Sequence, residues 1–202
     1  MLIAISLGWG TPVIAIQLLL INVVADGIPG FSLSREKIEE DAMTNDPVPK
    51  NASIFSNGLA WKIGGQAVVF TIITLLGFHI GREVEIGGMI PSYEIGQTMA
   101  FVILGWSSVV HIFNVRSSES IFKIGFTSNK LLFWCAMLSI GIVFATAVVP
   151  VLASTFSLES MSTVHWAIAA GLSIVPLLTV ELRKYYVNSI LRKKTQTKLD
   201  TY

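Results

Sequence analysis

Charge is what this sequence has least of. Asp, Glu, Lys and Arg supply 13% of its 202 residues, against roughly 25% in a soluble domain. With 52% hydrophobic residues, the chain has too much apolar surface to stay disordered. It also carries too few cations for the basic face of a nucleic-acid-binding protein, so no nucleic-acid partner is expected. Cysteine is nearly missing: Cys135 is the single one, which excludes an internal disulfide and leaves the redox compartment unread. Within its apolar run, Cys135 reads as a small core hydrophobe. There is no Gly-x-x-x-x-Gly-Lys-Ser/Thr phosphate loop, no internal repeat and no Ser/His/Asp constellation.

What is present is length without charge. Five runs contain no Asp, Glu, Lys or Arg: Met1–Ala25, Ile63–Gly81, Ile95–Val115, Leu131–Leu158 and Ser160–Val180. About 20 apolar residues cross ~30 Å of hydrocarbon as a helix, so the last four each make one span. Pro150 should end or kink the fourth. The first run is interrupted by Gly8-Trp9-Gly10-Thr11-Pro12, a turn composition. Met1–Leu7 ahead of that turn reaches only about 10 Å and cannot cross. No basic segment precedes it, which argues against a signal peptide. Residues from Val13 to about Ser32 can cross, with Asp26 inside the span. The expected organisation is all-α: a polytopic transmembrane helical bundle with spans near 13–32, 58–81, 93–115, 129–153 and 162–182, and a tail over 183–202 that frays from Lys193. Its first partner is the lipid bilayer. Half a hairpin at the start is expected of a piece of a longer membrane domain.

Orientation follows from Lys and Arg. Arg35, Lys37, Lys50, Lys62, Arg116, Lys123, Lys130 and the tail residues Arg183, Lys184, Arg192, Lys193, Lys194 and Lys198 fall on one side. Only Arg82 falls on the other. The C-terminus is therefore expected in the cytoplasm, with the cell membrane as the location. Ser34–Ala52 is expected to be an ordered cytoplasmic connection, and Ser53–Trp61 a short amphipathic stretch along the surface.

Asp26 is the one acid embedded within a span. An intramembrane carboxylate is costly and points to function. Asn22, four residues earlier, shares its helical face. Pro29 cannot donate a backbone hydrogen bond and clashes with the carbonyl at Ala25, so the helix is expected to unwind near Asp26 and free carbonyl oxygens. A carboxylate, an amide oxygen and freed carbonyls suit a hard divalent cation such as Ca²⁺, and interrupted spanning helices build cation sites in transporters. Asp26 pairing inside a bundle is the plainer alternative. The other candidates read as structural. His111 is a neutral packing histidine, His79 and His165 have no ligand spacing, and Glu94 is a helix-start charge. Trp9, Trp61 and Trp166 are interfacial anchors.

At Gln17–Gly30, QLLLINVVADGIPG resembles the sixth membrane helix of type II P-type cation ATPases, whose calcium-pump form reads close to QLLWVNLVTDGLPA. MTNDPVPKNASIFSNGLAWKI (Met43–Ile63) resembles the connection from the sixth to the seventh helix. TMAFVILGWSSVVHIFNVRS (Thr98–Ser117) resembles the eighth. The resemblance covers nearly the whole chain. It implies the C-terminal membrane region of such a pump, from the end of helix five through helix ten. It further implies that Asn22 and Asp26 are metal ligands for a transported Ca²⁺, with Mn²⁺ the alternative. ATP and Mg²⁺ would act only through N-terminal pump domains not in this chain, which lacks the Asp-Lys-Thr-Gly phosphorylation motif and should be inactive alone. The family's two-ion members carry a Thr where Ala25 stands and an acid where Ser108 stands, so a single-ion site is implied. The competing expectation is a stand-alone membrane binding or scaffold protein derived from such a pump.

Overall fold

The computed structural model of the protein describes residues 1–36, 59–117 and 119–199, with side chains through Val187. The short helix α1 (Leu2–Ser6) meets a turn in which Gly8 and Gly10 take φ of +71° and +87°, values that glycine adopts at no steric cost. Five helices are long and apolar enough to cross a membrane: α2 over Ala15–Arg35, α3 over Leu59–Glu83, α4 over Tyr93–Val115, α6 over Lys130–Val148, and Thr163–Val187 within α8. The short α5 (Ile121–Ile124) and α7 (Pro150–Thr155) lie in connections, and α8 runs from Thr163 to Leu199. Among the described residues no strand forms. The fold is an all-α transmembrane bundle. Pro150 opens α7 one residue past Val149, the C-cap of α6, so the apolar run 131–158 breaks at its proline. Beyond 182 the backbone stays helical to Leu199 where a tail was expected, because this stretch holds no Gly or Pro and is rich in helix-forming Leu, Lys and Arg. The Ser34–Ala52 connection beyond Glu36, and residues 53–58 of the amphipathic stretch, lie outside the described residues.

Helix α4 is the centre of the bundle. Met99, Phe101, Val102, Ile103 and Val109 are fully buried and meet Ile21 and Ala25 of α2, Ile73 of α3, Leu132 and Val143 of α6, and Ala169 and Leu177 of α8. Lipid tails are as apolar as these side chains, so close packing rather than water exclusion joins the helices. Glycine allows the closest approach, between α3 and α4. A Cβ on Gly96 would stand 2.7 Å from the Phe78 carbonyl oxygen, and one on Gly81 would stand 2.9 Å from the backbone of Gly96. Gly96→Ala should therefore force the two backbones apart and cost about 1–3 kcal/mol. Gly77→Ala should cost less, because the atom in its way, 2.1 Å from the added Cβ, is the tip of the Ile103 side chain. Thermal unfolding of the two purified variants in one detergent checks the order; equal losses would mean that backbone approach is not the limiting contact.

Polar contacts tie the helix ends. At the end holding the glycine turn, Tyr93 Oη accepts from Thr11 N at 2.8 Å and donates to Thr11 O at 2.9 Å, and Gln97 Nε2 donates to the same carbonyl at 2.7 Å. Arg82 donates to Trp9 O at 2.9 Å, and the Trp9 ring stacks on His79 at 5.0 Å, so Trp9 is held within the protein as well as near the membrane boundary. At the opposite end Glu36, after α2, faces Arg116 at 3.8 Å and accepts from Asn129 Nδ2 at 2.9 Å. Glu181 of α8 accepts from Ser120 Oγ and Ile121 N and pairs with Lys184 at 3.4 Å.

Candidate cation site

Helix α2 begins with a buried polar anchor. Gln17 is fully buried; its Oε1 accepts from Ile14 N at 3.1 Å, and its Nε2 donates to Phe156 O at 2.9 Å, just after α7. The next residues hold the candidate site. Ile21–Gly27 form a π-helix, followed by α-helical Ile28–Ser32 and a 3₁₀ turn over Leu33–Arg35. The expected unwinding at Asp26 thus takes the form of a widened helical turn with i→i+5 bonding, a local geometry frequent at functional sites.

Pro29 explains part of this. In the i→i+5 pattern its missing N–H deprives the carbonyl of Val24, where the α-helical pattern would deprive Ala25. The Val24 carbonyl is buried and accepts from Ser139 Oγ of α6 at 2.7 Å. That oxygen is therefore spent inside the bundle and is not free for a cation. A buried carbonyl without a donor costs ~1–3 kcal/mol, and a hydroxyl from a neighbouring helix supplies what the proline removed.

The π segment has two sides. Ile21, Val24 and Ala25 are buried against the bundle. Asn22, Val23, Asp26 and Gly27 are exposed on the other side. Gly27 lies close over its own helix: a Cβ there would stand 3.4 Å from Asn22 O. Among the described residues, the side chain that meets the Asp26 carboxylate is the hydroxyl of Ser108 of α4. Asn22 and Asp26 thus share one face, as their spacing predicted, and Ser108 joins them from a different helix. Together they offer a carboxylate, an amide oxygen and a hydroxyl. Ca²⁺ takes about six to eight oxygens, so three side chains are too few for a whole shell. Among the described residues no three His, Cys, Asp or Glu side chains gather into a metal cluster.

The other sequence candidates have structural places. His111 Nε2 is 3.1 Å from Gln66 Oε1, and His165 Nδ1 is 2.7 Å from Ser162 Oγ. Glu94 stands in the first turn of α4, whose N-cap Ser92 accepts from Ile95 N at 3.1 Å. Trp166 lies 5.6 Å from Trp106 and 4.9 Å from Phe144, ring to ring, a packing role beside its boundary position. Two residues that shape the site, Gln17 and Ser139, were not singled out by chemistry in the sequence. Each is a polar residue between apolar neighbours, and a buried polar residue needs a partner; that is the signal they carried.

Comparison with known proteins shows the family. A family profile described as the C-terminus of cation-transporting ATPases matches residues 10–186. Calcium-transporting ATPase 1 of Bacillus cereus is 32% identical over 194 residues, covering 90% of this chain and 22% of that protein. Calcium-transporting ATPase 1 of Lactococcus lactis is 32% identical over 183 residues, covering 90% and 20%. Mouse calcium-transporting ATPase type 2C member 2 is 27% identical over 185 residues, covering 91% and 19%. The chain spans about a fifth of the length of these relatives.

Proposed function

The chain belongs to the family of cation-transporting ATPase C-terminal regions, and on that premise we propose that it is the C-terminal membrane module of an ATP-driven Ca²⁺ pump. Asn22 and Asp26 contribute to its single ion site. The observation that carries this reading is the face of the π segment. An ionisable group facing lipid is expensive, and such residues face protein or a water-filled cavity instead. Asn22 and Asp26 are both exposed among the described residues, and the one described side chain that meets Asp26 is the hydroxyl of Ser108. The remaining ligands come from the N-terminal part of the pump, where the ATP- and Mg²⁺-binding domains also reside.

Packing favours one ion. Ala25 is 1% exposed within the apolar core, so its place presents a methyl group to the bundle. Ser108 brings a neutral hydroxyl where a second carboxylate would otherwise add charge. Affinity for hard cations rises with the charge of the ligand set, and one carboxylate with two neutral oxygens suits one divalent ion. Mn²⁺, which also accepts oxygen ligands, is the second candidate.

The test is to pair this chain with the N-terminal portion of a relative in membrane vesicles and to follow ATP-driven uptake of ⁴⁵Ca²⁺ alongside equilibrium binding. Uptake with one ion bound per phosphorylatable site is the expected result. Two ions per site would overturn the single-ion assignment, and no uptake by a folded, phosphorylatable assembly would overturn the transport role.

The orientation proposed is C-terminus in the cytoplasm, from the basic bias across the helix ends. A cysteine placed at position 194 should resist membrane-impermeant maleimide in intact cells, while one placed at position 88, between α3 and α4, should react. Reaction at 194 would reverse the topology.

A further inference from the structure

At the end of the bundle that carries most of the Lys and Arg residues, the start of α3 and the middle of α8 part to leave a groove of about 220 Å³, lined by Trp61, Lys62, Gly65, Gln66, Val69 and Arg183 among others. We propose that this groove binds the headgroup of an anionic glycerophospholipid from the leaflet into which that basic end projects.

Three observations carry the assignment. The first is charge. Lys62 and Arg183 line one groove, and neither makes a hydrogen bond or ion pair with a described residue. Three other cations at this end are paired: Lys184 is 3.4 Å from Glu181, Lys123 is 2.6 Å from Glu119, and Arg116 faces Glu36. Glu181, the nearest acid in sequence to Arg183, is already held by Ser120, Ile121 and Lys184. Two cations that share one groove and pair with no described acid mark a place for an anion.

The second is depth. Lys62 immediately precedes the uncharged run that starts at Ile63, and Arg183 follows the run that ends at Val180. Both sit where hydrocarbon gives way to headgroups, and Trp61 beside them is 88% exposed, as an aromatic at a membrane boundary is. Basic pockets between spanning helices are the chemistry that holds anionic lipid headgroups. The third is donor capacity. Gln66 Oε1 faces His111 at 3.1 Å, so the Gln66 amide N–H groups remain available to an acceptor such as a phosphate oxygen. Val69, one turn deeper, offers an apolar wall to the start of an acyl chain.

The experiment uses the 202-residue chain purified in detergent, with native mass spectrometry titration of dioleoyl phosphatidylglycerol against dioleoyl phosphatidylcholine. The wild type should retain phosphatidylglycerol in preference. Lys62→Gln with Arg183→Gln should weaken it by about fivefold for each cation removed. Lys123→Gln with Lys130→Gln, which removes the same charge elsewhere at that end, should leave it unchanged. Gly65→Leu keeps every charge, and a Cβ there meets no atom within 4 Å, so the variant should fold and fill the groove, lowering retention. Equal retention of the two lipids by the wild type overturns the proposal, as does equal loss in both charge variants. Displacement of the lipid by inorganic phosphate at matching concentration would assign the groove to small anions instead.

Discussion

Asp26→Asn should lower cation affinity by more than about tenfold, roughly 1.4 kcal/mol, in a pump completed with the N-terminal portion of a relative. The substitution keeps the size and nearly the shape of the side chain, so the π segment and its contacts with α4 and α6 should persist. What disappears is the negative charge that offsets dehydration of a divalent ion, and an amide oxygen is the weaker ligand. The hydrogen bond with Ser108 can survive, because an amide accepts from a hydroxyl as a carboxylate does. Stability should hold or rise, since a carboxylate on a spanning helix is costly without its cation. If Asp26 served only to join α2 to α4 through Ser108, the order would invert: the variant would melt earlier, and whatever stayed folded would bind the cation as before. ⁴⁵Ca²⁺ binding and thermal unfolding on one preparation separate the two outcomes.

Arg116→Met should be the most destabilising single change at the basic end of the bundle, costing about 3 kcal/mol, the lower part of the range for breaking a buried ion pair. The Arg116 side chain is fully buried, 3.8 Å from Glu36; its Nη2 donates to the carbonyl of Gly125, and its guanidinium lies 5.7 Å from the Phe113 ring. Methionine keeps the unbranched stem and removes the charge. Glu36 is then left with Asn129 as its side-chain partner among the described residues, but its side chain keeps 23% exposure and can draw on water, which places the loss at the low end. Adding Glu36→Gln to Arg116→Met should recover part of the loss, so the two effects should not add. Additive losses in thermal unfolding would show that Arg116 acts through Gly125 and Phe113 alone.

The spans were legible because hydrocarbon imposes a length and forbids charge, and five runs obey both conditions. Pro150 was legible because a proline cannot continue a helix without loss. Pro176 did not act in that way. It lies inside α8, and the helix continues past it, although the missing N–H of Pro176 deprives the carbonyl four residues earlier, at Leu172, of its helical donor. Packing against neighbouring helices lets a spanning helix continue across a proline, and nothing local in the sequence announces that packing. The site divides in the same manner. Asn22 and Asp26 stood out because four residues separate them on an apolar helix. Ser139 did not, because its partner is a carbonyl 115 positions away, and a serine with apolar neighbours on both sides gives no hint of which helix it faces. The π geometry was hidden for a related reason: Gly27 and Pro29 signal disturbance, while its form is set by packing on α4 and α6.

The fastenings at the two ends of α2 have a mechanical consequence. Thr11, ahead of the helix, is pinned by Tyr93 and Gln97, and Glu36, behind it, is gripped by Arg116 and Asn129. Every one of these partners belongs to α4 or to the edges of its neighbours, so α2 and α4 form one stator. A helix braced at both ends can neither rotate about its axis nor slide along it without breaking several charged or multidentate contacts at once. In the proposed pump, Asn22 and Asp26 would therefore stand as the fixed jaw of a vice, and alternating exposure of the ion would fall to the moving jaw, the polypeptide proposed to close over their open face.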